Sequence, residues 1–187
     1  MTVNRLALKL ETERLRLRPF QDSDTHTFAA YRSDPEVARY QGWDAPYSLE
    51  QATRFIAHMK TMPPIPPGEW YQLAIEVKDG DLLAGDCAFH RLAEDPQQTE
   101  IGFTLARAYQ GMGYGREAIT CLLDYLFGEL HIQRVQAICD AENAASIKLL
   151  ERVGMKRETQ VRENVWFKGY LCNEYVYALS RPDTKGT

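Results

Sequence analysis

The stretch YQGMGYGREA, from Tyr109 to Ala118, carries three glycines at alternate positions, Gly111, Gly113 and Gly115, followed at once by an apolar helical pattern. Glycine weakens helices and strands alike, so this density points to a loop whose backbone must come close to something. The unpaired amides and positive dipole end of the following helix favour an anion there. Three phosphate-binding patterns compete. A P-loop needs Lys and Ser or Thr after its last glycine, whereas Arg116 and Glu117 stand there. A dinucleotide loop, G-x-G-x-x-G/A, is matched by Gly113, Gly115 and Ala118, and Asp140 even ends the next strand. That loop, however, should follow its strand directly inside a parallel βαβ unit. Here ARAYQ intervenes, and the strands before it read as a hairpin. The third pattern is Q-x-x-G-x-G at Gln110, Gly113 and Gly115, a loop between strand and helix that wraps a pyrophosphate. A plain helix-entry turn leaves the three glycines unexplained.

The elements that must position this loop follow from periodicity. RLRLRPF puts Leu15 and Leu17 on one face and Arg14, Arg16 and Arg18 on the other, a half-buried strand. DSDTHTFAAYRSD reads as a helix. Asp34 before Pro35 is an N-cap with proline at N1, and Ser48 with Gln51 has capping-box spacing ahead of ATRFIAHMKTM. PPIPPG is a stiff connector. Two strands joined at Asp79 and Gly80 precede the strand TEIGFTL; then come the glycine loop and a helix through Phe127. QRVQAICD is a strand, ENAASIKLLERVG a helix ended by Gly154, and the chain closes as a hairpin around Lys168 and Gly169. The order predicts an α/β fold with a mixed, mostly antiparallel sheet flanked by helices.

The 187 residues suit one domain spanning 1–187. A net charge of −4 gives no electrostatic grip on nucleic acid. No run has the length of a membrane span, and the N-terminal stretch lacks the apolar core of a secretory signal. Cys87, Cys121, Cys139 and Cys172 form no CxxC pair, which predicts reduced, mostly buried thiols in a cytoplasmic protein, with neither zinc nor disulfides. His26, His58, His90 and His131 are scattered and read as surface or loop residues.

The glycine loop, taken with ETERLRLRPFQDSD, YRSDPEVARY, EIGFTL, NAASIKLLERVGM and VWFKGYLCNEYVYAL in this order, resembles the GNAT N-acetyltransferases, in the branch that acetylates ribosomal-protein N-termini, RimJ/RimL-like. The resemblance covers nearly the whole chain. It implies the GNAT fold and acetyl transfer from acetyl-CoA to a primary amine by direct attack in a ternary complex, without metal. The acceptor is a protein N-terminus or a small-molecule amine, and the enzyme a monomer or homodimer. By the resemblance, Gln110, Gly111, Met112, Gly113, Tyr114, Gly115 and Arg116 hold the pyrophosphate. Phe103, Thr104 and Leu105 offer backbone groups to the pantetheine arm from a strand that splays from its neighbour.

Acetyl transfer needs a proton acceptor for the amine, donors for the oxyanion and a proton for the leaving thiolate. Glu100 faces away from Ile101 and Phe103, on the side of Gly102. The resemblance makes it the base, commonly through water; a salt-bridged strand glutamate is the plain alternative. Asn143 is an N-cap by type, and the resemblance adds a bond to the pantetheine arm. Ser146 lies one turn on, on the same face. Family members often carry a tyrosine acid two turns below the asparagine; Leu150 stands there, leaving Ser146 as the nearest hydroxyl donor to the thiol. The acceptor side is expected from Tyr40 to Trp70 and from the last hairpin, where Glu163 and Trp166 could hold a cation. Two other classes stay open: a non-catalytic CoA-binding sensor and an NAD-binding oxidoreductase.

Overall fold

The computed structural model describes residues 8–63 and 68–181; most of the proline connector, 64–67, lies outside the described residues. The chain opens with β1 (Leu10–Glu11) and β2 (Leu15–Arg18), then a 3-10 turn (Asp22–Asp24), α1 (Thr25–Arg32), α2 (Pro35–Ala38) and α3 (Leu49–Thr61). The hairpin strands β3 (Tyr71–Val77) and β4 (Leu82–Arg91) lead to β5 (Gln98–Leu105). Then come α4 (Tyr114–Gly128), β6 (Arg134–Asp140), α5 (Ala144–Arg152), β7 (Lys156–Phe167) and β8 (Tyr170–Ser180). The eight strands form one sheet in the order β1-β2-β3-β4-β5-β6-β8-β7, and β5–β6 is its parallel pair.

Local sequence accounts for most boundaries. The Asp34 side chain accepts from the Glu36 amide with Pro35 at N1, and Ser48 and Gln51 cap each other reciprocally at the start of α3. Two apolar layers hold the sheet. Helices α4 and α5 cover one face, where Leu17, Phe89, Ile101, Val135 and Tyr177 meet Ile119, Leu122, Leu126 and Leu150. Helices α1 and α3 cover the β2–β4 side of the other face through Phe28, Ile56, Ala74 and Leu83.

Two expectations change. The arginine face of β2 is covered by charge partners: Arg18 is buried, grips both Asp24 oxygens at 2.8 and 2.9 Å, and meets Glu76; Arg16 bridges Glu76 and Asp81. Alternation reveals which side chains share a face, but not what a distant strand brings against them. His90 is neither a surface nor a loop residue. It lies in β4, half-buried, its ring stacked on Trp70 at 4.8 Å. The cysteines are free, with Cys87 and Cys139 buried and Cys121 and Cys172 half-buried. Among the described residues, no helix is long and apolar enough to cross a membrane.

Candidate active site

The site begins where the sheet comes apart. Strands β5 and β6 pair at Gln98–Arg134, Thr99–Val135 and Glu100–Gln136, and their pairing stops there. Each stays bound to its other neighbour well beyond that point, β5 to β4 as far as Leu105 and β6 to β8 as far as Asp140. A wedge therefore opens between residues 101–105 and 137–140. It holds a cleft of about 120 Å³ walled by Ile101, Gly102 and Phe103 on one side and Ala137 to Asp140 on the other, with Asn143, Ser146 and Leu150 of α5 also lining it.

Tyr40, Gln41, Phe167 and Glu174 close the cleft from the far side. The Gln41 amide donates to the Phe103 carbonyl at 3.4 Å. Lys168, at the tip of the β7–β8 hairpin, donates to the carbonyls of Ala38 and Trp43 and so ties the hairpin to the α2–α3 segment. Burial, with the Asp140 and Glu174 carboxylates nearby, pushes the Cys139 thiol up to about 11, so that it faces the cleft as a neutral group.

The glycine loop stands at the start of α4. Gly111 and Gly113 have φ of +77° and +84°, a region L side chains rarely adopt, and Gly113 is the N-cap with no side chain to cap the helix. Among the described residues, nothing accepts from the amides of Gly111 to Arg116. Gly115 serves another purpose: a Cβ there would meet Leu149 at 3.1 Å and Leu105 at 3.4 Å, so its absence lets α4 dock against both α5 and the end of β5. That docking sets the loop at the mouth of the wedge.

Behind the loop, Arg14 donates to the Met112 carbonyl at 3.1 Å, pairs with Glu117 and lies over the Tyr114 ring. Glu117 also accepts from the Thr12 hydroxyl and the Arg14 amide. Burial raises the Glu117 carboxyl, but these donors outweigh it and hold the group below the ordinary glutamate value. Arg116 is exposed, and Met112 projects outward.

The sequence-derived residues thus fall into three groups. Phe103, Asn143 and Ser146 meet in the cleft. Asn143 caps α5, its Oδ1 accepting from the Ser146 amide at 3.1 Å, and among the described residues the Ser146 hydroxyl has no protein partner. Loop residues 110–116 form the second group; the Gln110 side chain is already used, donating to the Leu105 carbonyl at 2.9 Å. Glu100 stands apart on the sheet face opposite α4 and α5, accepting from Gln136 at 3.1 Å. Thr104 is buried beside Asp86 on that same opposite face and its carbonyl lies against Gly85 of β4, whereas the carbonyls of its neighbours Phe103 and Leu105 accept from Gln41 and Gln110. Trp166 is exposed and outside the cleft; its neighbour Phe167 lines it instead. Phe167 and Glu174 belong to the last hairpin expected on the acceptor side, though neither was singled out there, and Cys139 carried no signal in the sequence beyond its place in a strand.

A wedge in a mixed sheet, ending on a glycine-rich helix N-terminus with free amides, has the geometry that suits an extended ligand carrying an anionic group. Residues 14–156 match the family described as "Acetyltransferase (GNAT) domain". The chain is 32% identical over 177 residues to the uncharacterized N-acetyltransferase p20 of Bacillus licheniformis, covering 95% of this chain and 98% of that one. A match of 29% over 83 residues, 44% of this chain and 43% of the other, is to the ribosomal protein uS5-alanine N-acetyltransferase of Escherichia coli. Among solved structures, a GNAT acetyltransferase from Bacillus anthracis superposes with a TM-score of 0.82 at 27% identity, over 93% of this chain and 99% of that one. Mycobacterium smegmatis RimJ, in complex with CoA-disulfide, shares the fold with a TM-score of 0.78 at 17% identity, over 97% and 90%. The chain belongs to the GNAT family; it is an N-acetyltransferase that moves acetyl from acetyl-CoA to an amine.

Proposed function

We propose that this chain, acting as one domain over 1–187, acetylates a primary amine by direct attack on acetyl-CoA bound in the β5–β6 wedge. The loop amides from Gly111 to Arg116 hold the pyrophosphate, and Arg116 adds a cation beside it. The backbone groups of Phe103 and Leu105 on the open edge of β5 pair with the pantetheine arm, which exchanges the Gln41 and Gln110 contacts at their carbonyls for its own, while Thr104 between them keeps its pairing with β4. Asn143 fixes the arm on its other side. The thioester then lies near Ser146, whose hydroxyl gives a hydrogen bond to the departing sulfur. Leu150, buried at the cleft wall, offers no proton.

The amine approaches from the opposite face of the sheet, where Glu100 takes its proton directly or through water. The reaction needs no metal, because holding both reactants side by side supplies much of the rate. The single observation that carries this reading is the pairing of β5 with β6, which ends at Glu100 and opens directly beneath Asn143 and Ser146. The E. coli relative that acetylates ribosomal protein uS5 supports a protein N-terminus as acceptor, in a RimJ/RimL-like cytoplasmic role.

The test is release of free CoA thiol with Ala-, Ser- and Met-initiated peptides, spermidine and phenylethylamine as acceptors. Turnover with one of them, and a fall in kcat/KM of about a hundredfold in Glu100→Gln near neutral pH, is the expected result. Raising the pH should partly rescue the variant, since free amine then arises without a base. Leu150 favours one other reading, a CoA-binding sensor. Tight CoA binding with no thiol release from any acceptor would establish that instead.

A further inference from the structure

Along β6, on the sheet face away from α4 and α5, polar and apolar rows follow one another toward the open end of the wedge. The first row pairs Glu100 with Gln136, whose amide donates to the Glu100 carboxylate at 3.1 Å. Two residues on, Ile138 pairs with Val176 of β8, and both are half-buried. Two further on, Asp140 pairs with Glu174, and both of these line the cleft. Side chains two apart on a strand share a face. An anion, an apolar floor and a pair of anions therefore lie in line. Four residues at about 3.3 Å each set the two acidic ends about 13 Å apart.

The Asp140–Glu174 row is short of positive charge. Directly opposed residues on one face of an antiparallel pair have Cβ atoms about 4.5–5.5 Å apart, and like charges placed there are destabilising. Arg162 of β7 stands opposite Glu174 and reaches its Oε2 at 3.1 Å. That oxygen is buried and receives no aligned hydrogen bond among the described residues. Asp140 Oδ1 accepts from the Glu142 amide at 2.7 Å, and among the described residues no ion pair reaches Asp140. Arg39, the other cation nearby, is exposed and contacts Glu142 at 3.7 Å. The Cys139 thiol, 9% exposed, lines the same cleft without a hydrogen-bond partner among the described residues, and being neutral it offsets nothing. Two carboxylates thus face one guanidinium, in a cleft walled by the Tyr40 and Phe167 rings.

We infer that Asp140 and Glu174 hold a second positive charge on the acceptor, which is therefore a dication: the reacting primary amine, an apolar spacer and another cationic group. The inference rests on the reading of Glu100 as base, which sets the reacting amine at the other end of the line. An ammonium between Asp140 and Glu174 replaces their repulsion with two attractions, and its three donors can serve both carboxylates. The spacer crosses Ile138 and Val176, where methylene groups lose water against apolar side chains. The separation of the two ends sets the spacer's length. A linear polyamine has this chemistry, and so does a protein N-terminus followed closely by lysine.

Two acceptor series test this and separate the sources. The first sets straight-chain α,ω-diamines, from diaminobutane to diaminodecane, against amino alcohols of equal length, in which a hydroxyl replaces the second ammonium. The second sets Ala-initiated peptides with lysine at the third residue against the same peptides with norleucine. In one series or the other, kcat/KM for the doubly charged member should exceed that of its match by about tenfold, and among the diamines the advantage should be greatest for the longer spacers. Asp140→Asn keeps an acceptor for the Glu142 amide and removes the charge; Glu174→Gln does the same beside Arg162. Each should cost the doubly charged acceptor about tenfold more than its match. Arg162→Gln removes the competing guanidinium and should widen the advantage instead.

Equal kcat/KM for both members of every pair overturns the inference and leaves acetyl transfer standing. Parallel losses for both members in Asp140→Asn and Glu174→Gln overturn it in favour of a packing role. Calorimetry on the CoA-loaded protein decides the matter without turnover. Diaminooctane should bind about tenfold more tightly than aminooctanol, the difference should shrink at high salt, and Asp140→Asn should abolish it. Equal affinities overturn the inference. The expected difference, with no acceptor acetylated, would uphold the dication site and overturn the transfer reading instead.

Discussion

Gly113→Asp tests the phosphate loop most directly, because the structure separates its effect on folding from its effect on binding. At Gly113 the backbone has φ of +84°, and a Cβ would lie 3.3 Å from Arg14 Nη2. The backbone strain is about 1–2 kcal/mol, and Asp tolerates this region better than most residues. The new carboxylate lands beside the Arg14 guanidinium, which offsets part of that strain, so the unliganded fold should lose about 1 kcal/mol or less. The cofactor meets the opposite situation. A carboxylate about 5 Å from one pyrophosphate charge, at an effective dielectric of about 20, repels it by about 3 kcal/mol. Arg14 neutralises some of this, leaving a ten- to hundredfold rise in Kd at about 1.4 kcal/mol per tenfold.

Titration calorimetry with CoA measures this rise, and repeating it at high salt should shrink it, because exposed charges are screened. Gly113→Ala, carrying the strain without the charge, should cost clearly less affinity. A Kd for Gly113→Asp within threefold of wild type, in a folded protein, would refute the placement of the pyrophosphate at this loop.

Ser146→Ala should lower kcat by about tenfold or more with CoA affinity nearly unchanged, since a bond to a departing thiolate exists only late in the reaction; an unchanged single-turnover rate would remove it as donor. Leu150→Tyr should supply that hydroxyl at the cleft wall and raise the rate of Ser146→Ala, at about 1–3 kcal/mol of overpacking measured by denaturant unfolding. Glu117→Gln should lower the melting temperature by about 2–4 °C at neutral pH, equivalent to about 1 kcal/mol. Glu117 titrates below its ordinary value when folded, so its contribution is complete above about pH 4.3, the unfolded value, and disappears as pH falls through the lower folded value. Melting curves of both proteins should therefore draw together only as the pH falls well below about 4.3 and through the folded value, and a gap that does not narrow over that descent would refute the linkage.

Much of this protein is legible locally. Alternation marks the strands, Asp34–Pro35 and Ser48–Gln51 mark helix starts, and Lys168–Gly169 marks the last turn, because capping and turn chemistry act over a few residues. The glycines at 111 and 113 are likewise a local demand, for left-handed backbone, whereas Gly115 answers to docking against Leu149 of α5 and the end of β5, which only the fold brings together. The unshared capacity of the site came from tertiary structure alone. That β5 and β6 pair for three residues and then diverge depends on what lies on their outer edges, β4 and β8, far away in the chain. That Arg18 is buried depends on Asp24 and Glu76, and that Gln110 serves the Leu105 carbonyl depends on how the loop folds back. His90 shows the same limit most clearly. Its type and neighbours in sequence say nothing, and only the register of three strands sets it between Trp70 and Glu100 with one nitrogen unpaired. Residue type and spacing encode what a segment can form, whereas long-range pairing decides which side chains meet.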